Sequence, residues 1–233
     1  RIMTWMEQYA QKVTSPAEAV KAVKSGDRIF LTGNCSVPTK ILSALVDRAP
    51  ELQDVEINQA LTVWSADYVS PEMEGHLRVN TMFISHNTRE AVQAGRADFT
   101  PVLLSEFPLL FKNKILPVNV AFVHLSPPDA HGYCSFGVAV GLSKSAAESA
   151  EIIVAEVNDQ MPRTLGDSFI HVSALDHIVP VDYPLPELAM SDGKPSETTE
   201  KIAAYIAELI PDEATMQMGI GEVPDAVLKY LFD

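Results

Sequence analysis

Cysteine is scarce in this 233-residue sequence, with only Cys35 and Cys134 present. Neither lies in a CxxC pair or near a histidine at metal-ligand spacing, so no disulfide scaffold and no metal site are indicated, and a reducing compartment is expected. No stretch reaches the roughly 18 consecutive apolar residues that a membrane-spanning helix needs. The opening residues RIMTWMEQYAQKV lack the apolar core of a signal peptide, so a cytoplasmic protein with no membrane partner is expected. Positive charge is also thin: 17 Lys and Arg face 31 Asp and Glu, for a net charge of −14. None of the basic residues forms a run, which argues against a nucleic-acid surface, because phosphate binding needs clustered cations.

What is present is the make-up of a folded domain: 47% apolar and 21% charged residues, with sixteen prolines marking defined turns. Ser15, Pro16 and Glu18 form a helix start, and Gly26 a stop, which predicts a helix over 16–24. Residues 28–32 read as a buried strand, 33–36 as a tight loop, and Pro38 as the start of a helix burying Ile41, Leu42, Leu45 and Val46. Strands are predicted at 55–57, 81–84, 118–123 and 152–157, and helices at 90–94 and 143–149. The continuous apolar runs at 118–123 and 152–157 are typical of strands covered on both faces, hence of a mainly parallel sheet.

The opening order recurs near the C-terminus. Ser196 can cap a helix that buries Ile202, Ala203, Ile206, Leu209 and Ile210; a strand at 214–218 and Gly219-Ile220-Gly221 follow. A shift of 186 residues carries Gly33 onto Gly219 and Val37-Pro38 onto Val223-Pro224. The pattern predicts one domain over 1–190 and the beginning of a similar second domain over 191–233, with turn chemistry at Ser191-Asp192-Gly193-Lys194-Pro195 between them. A second copy that stops one helix past its glycine loop is expected to be a fragment.

Three segments follow predicted strands, where α/β proteins bind ligands. In Ser126–Gly137, Asp129 and His131 read as an acid/base pair or, more simply, as part of a rigid turn with Gly132. In Ala155–Thr164, Glu156, Asn158 and Arg163 read as a cleft wall, with Arg163 able to hold a carboxylate or phosphate, or to join a surface ion pair. In Met216–Gly221, backbone amides ahead of a helix can face an anion or a developing oxyanion, or simply make a tight turn.

Together LSEFPLLF (104–111), SPPDAHGYCSFG (126–137), AEVNDQMPRT (155–164), GDSFIHVS (166–173) and QMGIGEVPDAVL (217–228) resemble the acetyl-CoA hydrolase/transferase family, and within it the 4-hydroxybutyrate and butyrate–acetate CoA-transferases. The resemblance implies an open three-layer α/β/α fold with a mainly parallel sheet, of the sugar-phosphate-isomerase and CoA-transferase type, doubled so that the active site lies between two such domains. It implies CoA transfer from an acyl-CoA to a short carboxylate, 4-hydroxybutyrate and acetate being favoured, through a glutamyl-CoA thioester. No permanently bound cofactor and no metal are implied, CoA entering as the substrate thioester, and a homodimer is expected.

The family's nucleophilic glutamate is expected after Asp233, so no residue of this chain takes that role and the chain alone is expected to be inactive. By the same matching, Gly219, Ile220 and Gly221 supply oxyanion or acyl contacts, and Asn34, Cys35, Ser36 and Gln217 bind substrate. An acyl-CoA hydrolase and a non-catalytic ligand-binding or sensor module remain as alternatives.

Overall fold

The computed structural model describes residues 3–188 and 194–232. The chain divides into two compact units, the first ending at Leu188 and the second starting at Ala189. The expected 190/191 boundary and the turn at 191–193 lie outside the described residues.

The first unit is built on a seven-stranded sheet in the order β4-β3-β2-β1-β5-β7-β9. Its strands are β1 (Arg28–Leu31), β2 (Val55–Gln59), β3 (Leu77–Thr81), β4 (Asp98–Phe99), β5 (Val120–Leu125), β7 (Ile152–Asn158) and β9 (His177–Val181). Every pairing within it is parallel. A separate antiparallel pair joins β6 (Tyr133–Ser135) and β8 (Phe169–His171).

Strand periodicity sends alternate residues to opposite faces and so fills two cores. Ile29 and Leu31 of β1, with Val120 and Phe122 of β5, pack against Ile41, Leu42 and Leu45 of α3 (Thr39–Arg48) and Ala91 of α4 (His86–Gln93). Phe30, Ala121, Val123 and Leu125 face the other way, onto Phe107 and Phe111 of α5 (Phe107–Lys112) and Ala146 and Ala147 of α6 (Gly141–Ser149). Trp5 and Tyr9 of α1 (Trp5–Lys12) join this second layer, and the Phe30 and Phe111 rings meet edge-on at 5.3 Å. The result is the three-layer α/β/α architecture expected from the resemblance.

Several boundaries differ from the sequence reading. The helix expected over 16–24 is α2 (Pro16–Ala19) followed by a 3-10 turn at Val20–Ala22. It stops early because the Asp27 carboxylate accepts the Lys24 amide at 2.8 Å and draws the chain into a turn ahead of β1. The strand expected at 81–84 is β3, four residues earlier. There it lies in register with all five residues of β2, and Thr81 Oγ1 donates to the Phe83 carbonyl at 2.7 Å, closing the chain beyond it. β5 likewise starts and ends two residues later than expected and takes in the buried His124.

The second unit pairs α7 (Glu197–Glu208) with α8 (Glu222–Leu228). Ser196 caps α7 by accepting the Thr199 amide at 3.0 Å. Among its described residues only Ala203, Ala226 and Val227 form a buried apolar core, and Ile202 and Leu209, expected inside, are 42% and 81% exposed. The strand expected at 214–218 does not form: among the described residues of this unit there is no strand to complete a ladder with it, and that stretch is exposed backbone.

Candidate functional site

The strand order reverses between β1 and β5. β2, β3 and β4 are added on one side of β1, and β5, β7 and β9 on the other. Loops leaving the C-terminal ends of the strands at such a switch point frame the ligand crevice of open α/β sheets. Here the loop from β1 to α3, Thr32 to Pro38, occupies that place.

Its shape is set by close backbone approach. A Cβ on Gly33 would lie 2.3 Å from the Leu61 carbonyl oxygen, so only glycine fits. Asn34 follows at φ 53°, donating its amide to Leu61 O at 2.6 Å and accepting from the Val63 amide at 3.1 Å. Asn34 is exposed and Cys35 half-buried, while Ser36 is fully buried. Thr32 Oγ1 and Ser36 Oγ are buried with no hydrogen-bond partner.

A polar cluster lies directly behind this loop. Glu156, near the C-terminal end of β7, is fully buried, and its Oε1 accepts the Ile41 amide in the first turn of α3 at 2.7 Å. Its Oε2 accepts the Tyr183 hydroxyl, and that hydroxyl in turn accepts the Thr39 amide at 3.1 Å. Burial raises the Glu156 carboxyl to about 7, against the opposing pull of Tyr183 and the α3 amides. Burial and the neighbouring Glu156 carboxylate push the Tyr183 hydroxyl well above its ordinary range.

His124 of β5 stands beside Glu156 across the ladder. Its Nε2 lies 3.1 Å from Asn158 Nδ2. Asn158 Oδ1 accepts the Gln160 amide at 3.0 Å and Nδ2 donates to Tyr183 O at 2.9 Å, which fixes the amide orientation. Nε2 of His124 must therefore accept, and the network assigns the ring proton to Nδ1. Nδ1 is buried without a partner, and the backbone of Ser36 and Val37 lies beside the ring. Burial lowers the imidazole to about 4, so it is neutral near pH 7.

The remaining candidates fall elsewhere. Asp129 Oδ1 accepts the amides of His131 and Tyr133 at 2.8 and 2.9 Å, and Oδ2 pairs with Arg163 Nη2 at 2.7 Å. The Tyr133 and His131 amides and the Arg163 guanidinium hold its carboxyl below the usual range. Arg163 also donates to Tyr133 O at 2.9 Å and lies over the Phe169 ring at 4.4 Å. Gly132, at φ 86°, is packed so closely that a Cβ would meet Trp5 and the His171 ring at 2.8 Å. Asp129, Gly132 and Arg163 thus build a rigid turn, with the His131 side chain exposed on it.

Glu156 and Asn158, read from the sequence as a cleft wall, instead back the β1–α3 loop from inside, both fully buried. His124 and Tyr183 were not singled out as site residues. For His124 the available signal is a polar residue at the C-terminal end of an otherwise apolar strand, whereas Tyr183, two residues past β9, carries none. In the second unit, Gln217, Gly219 and Ile220 are exposed and Gly221 has φ 147°. A shallow cavity of about 340 Å³ there is lined by Ile206, Met216, Gln217, Gly219, Val223 and Val227 among others.

A doubly wound sheet with its loop pinned at the switch point defines a class of α/β ligand-binding domains, and the comparisons narrow it. The profile of the Acetyl-CoA hydrolase/transferase N-terminal domain matches residues 2–186, and the chain belongs to that family. It is 43% identical over 98% of its length to the 4-hydroxybutyrate coenzyme A transferase of Clostridium kluyveri, covering 53% of that protein. It is 40% identical over 98% of its length to the succinyl-CoA:cyclohexane-1-carboxylate CoA transferase of Geobacter metallireducens, covering 51% of it. A crystal structure of the 4-hydroxybutyrate CoA-transferase from Porphyromonas gingivalis superposes with a TM-score of 0.80 at 35% identity, over 98% of this chain and 53% of that one. The chain thus spans about half the length of the relatives it matches. Among the described residues, no helix is long and apolar enough to cross a membrane, and no three His, Cys, Asp or Glu side chains gather as a metal site requires.

Proposed function

We propose that the whole protein to which this chain belongs transfers CoA from an acyl-CoA to a short-chain carboxylate, with 4-hydroxybutyrate and acetate the leading pair. The 43% identity to a 4-hydroxybutyrate coenzyme A transferase across nearly the whole chain carries this reading. In the mechanism, a glutamate carboxylate outside this chain attacks the thioester carbonyl, CoA leaves as thiolate, and an acyl–glutamyl anhydride forms. The thiolate then attacks the glutamyl carbonyl, expelling the first carboxylate and leaving a glutamyl-CoA thioester. The acceptor carboxylate displaces CoA from that thioester, and the thiolate recaptures the new acyl group from the second anhydride, restoring the glutamate.

Each attack builds an oxyanion, and the exposed amides of Gly219, Ile220 and Gly221 are assigned to it, with Gln217 contacting the acyl group. Losing one such donor typically costs on the order of 100- to 1000-fold in rate. Asn34, Cys35 and Ser36 are assigned to the carboxylate or acyl group, because their loop stands at the switch point of the sheet. A cytoplasmic homodimer belongs to the same proposal.

The test is loss of acyl-CoA by the whole protein with and without acetate or 4-hydroxybutyrate. Acceptor-dependent loss with formation of the new thioester is the expected result. Loss at an unchanged rate without acceptor would make the protein a hydrolase, and no turnover at all would favour a binding module.

A further inference from the structure

The buried Glu156–Tyr183 pair has no part in the mechanism above, yet it grips the element that the mechanism uses. We propose that Glu156 is a positioning residue for substrate binding: its carboxylate, seated against the first turn of α3 and locked by Tyr183, fixes the Asn34–Ser36 loop that receives the acceptor carboxylate. The inference rests on the reading of that loop as a substrate contact.

Two grips converge on one short stretch of backbone. From the α3 side, Glu156 holds the Ile41 amide at 2.7 Å and Tyr183 holds the Thr39 amide at 3.1 Å, leaving Val37 and Pro38 as the link to Ser36. From the sheet side, His124 is held by Asn158 with its ring beside the backbone of Ser36 and Val37. Asn158 and Glu156 share Tyr183 as a partner, through its carbonyl and its hydroxyl, so the two grips form one unit.

The carboxylate is suited to the task in one protonation state only. Ionised, it accepts from the Ile41 amide and the Tyr183 hydroxyl together, at a helix N-terminus that favours negative charge. Protonated, it loses the charge that strengthens both bonds, and its hydroxyl must donate to the Tyr183 oxygen, so that bond has to reverse its direction. The titratable groups facing it are Lys40 on α3, whose ammonium lies 5.8 Å from the Tyr183 ring centroid, His124 on β5, and Tyr183 itself; its ladder partner on β9, Val179, is apolar. With the carboxyl titrating at about 7, the bonds to Ile41 and Tyr183 gain a charged acceptor as pH rises through neutrality and hold the loop more firmly, even though burial of that charge lowers the stability of the fold as a whole.

The test compares the whole wild-type protein with its Glu156→Gln and Tyr183→Phe variants. In the wild type, KM for acetate as acceptor falls as pH rises through about 7, while kcat changes little. Glu156→Gln fixes the neutral state: KM is raised by roughly ten- to a hundredfold at pH 8 and loses its pH dependence. Tyr183→Phe raises KM and moves the remaining transition to higher pH, because one donor to the carboxylate is gone. Hydrogen exchange at residues 39–42, corrected for intrinsic rate, provides a readout without turnover, with protection growing through the same pH range in the wild type and flat in Glu156→Gln. An unchanged or lowered KM in Glu156→Gln, or pH-independent protection in the wild type, would overturn the proposal. Exchange that follows the prediction in a protein without CoA-transfer activity would leave the clamp standing and remove only the functional reading.

Discussion

Replacing Gly33 by alanine puts a methyl carbon 2.3 Å from the Leu61 carbonyl oxygen and 3.3 Å from its carbon. Both obstacles are backbone, so no side chain can rotate away, and the loop must retreat by about 1 Å or break its bridge to Leu61–Val63. Overpacking of this kind costs about 1–3 kcal/mol, and loss of one backbone hydrogen bond adds about 1 kcal/mol. For a domain of this size the sum corresponds to a fall in Tm of roughly 4–15 °C. The same displacement moves Asn34 and Ser36, and a 1 Å error in a positioning loop costs on the order of 100-fold in kcat/KM. Thermal unfolding and acceptor kinetics of the whole protein measure the two effects. Gly95→Ala is the control, since Gly95 also faces a backbone penalty, with φ 75°, but has open space around its Cβ position. It should cost about 1–2 kcal/mol and leave kcat/KM unchanged. A Gly33→Ala protein as stable and active as the Gly95→Ala control would refute the argument from close approach.

The Glu156 carboxyl, at about 7 in the fold against an ordinary 4.5, binds its proton more tightly folded than unfolded. Its contribution to stability is therefore full below about pH 4.5 and lost as pH rises through about 7, a change on the order of 3 kcal/mol; urea unfolding at pH 5 and pH 8 should show this loss in the wild type and not in Glu156→Gln. Arg163→Ala removes the half-exposed pair with Asp129, the bond to Tyr133 O and the stack on Phe169, and should cost about 1–2 kcal/mol while exposing the 129–133 turn to protease. The Cys134 thiol, raised by burial to about 12, should stay unmodified by thiol reagents at pH 8 while half-buried Cys35 reacts, a difference that peptide mass mapping reads directly.

Much of the parallel sheet was legible because its strands are covered on both faces and read as apolar runs, as at Ile152–Val157. α3 and α7 were legible from their start signals and periodicity, and α6 from an alanine-rich stretch between two strands. β3 was misplaced because Arg78 and Asn80 dilute its apolar signal while Met82-Phe83-Ile84, just past it, is more apolar. β4 is two exposed residues at the sheet edge and carries no pattern at all. α1 is missed by the sequence reading, although a capping box at Thr4 and Glu7 marks its start and Trp5 and Tyr9, about one turn apart, pack on the core.

The rigid turn around Asp129 was readable from local Pro and Gly chemistry, since its main bonds span two to four residues. The Glu156–Tyr183 clamp was not, because the partners stand 27 residues apart and meet only when β7 and the segment after β9 lie side by side. The strand expected at 214–218 failed for the converse reason: local pattern can favour an extended segment, but a strand exists only with a neighbour to bond to.

In the proposed mechanism the whole protein carries CoA on a glutamate between donor and acceptor. Intact-mass measurement after brief exposure to acyl-CoA without acceptor tests it most directly. The protein is expected to bear one covalent CoA per active site, discharged when acetate or 4-hydroxybutyrate is added. A protein that consumes acyl-CoA while its mass never changes, with or without acceptor, would contradict it.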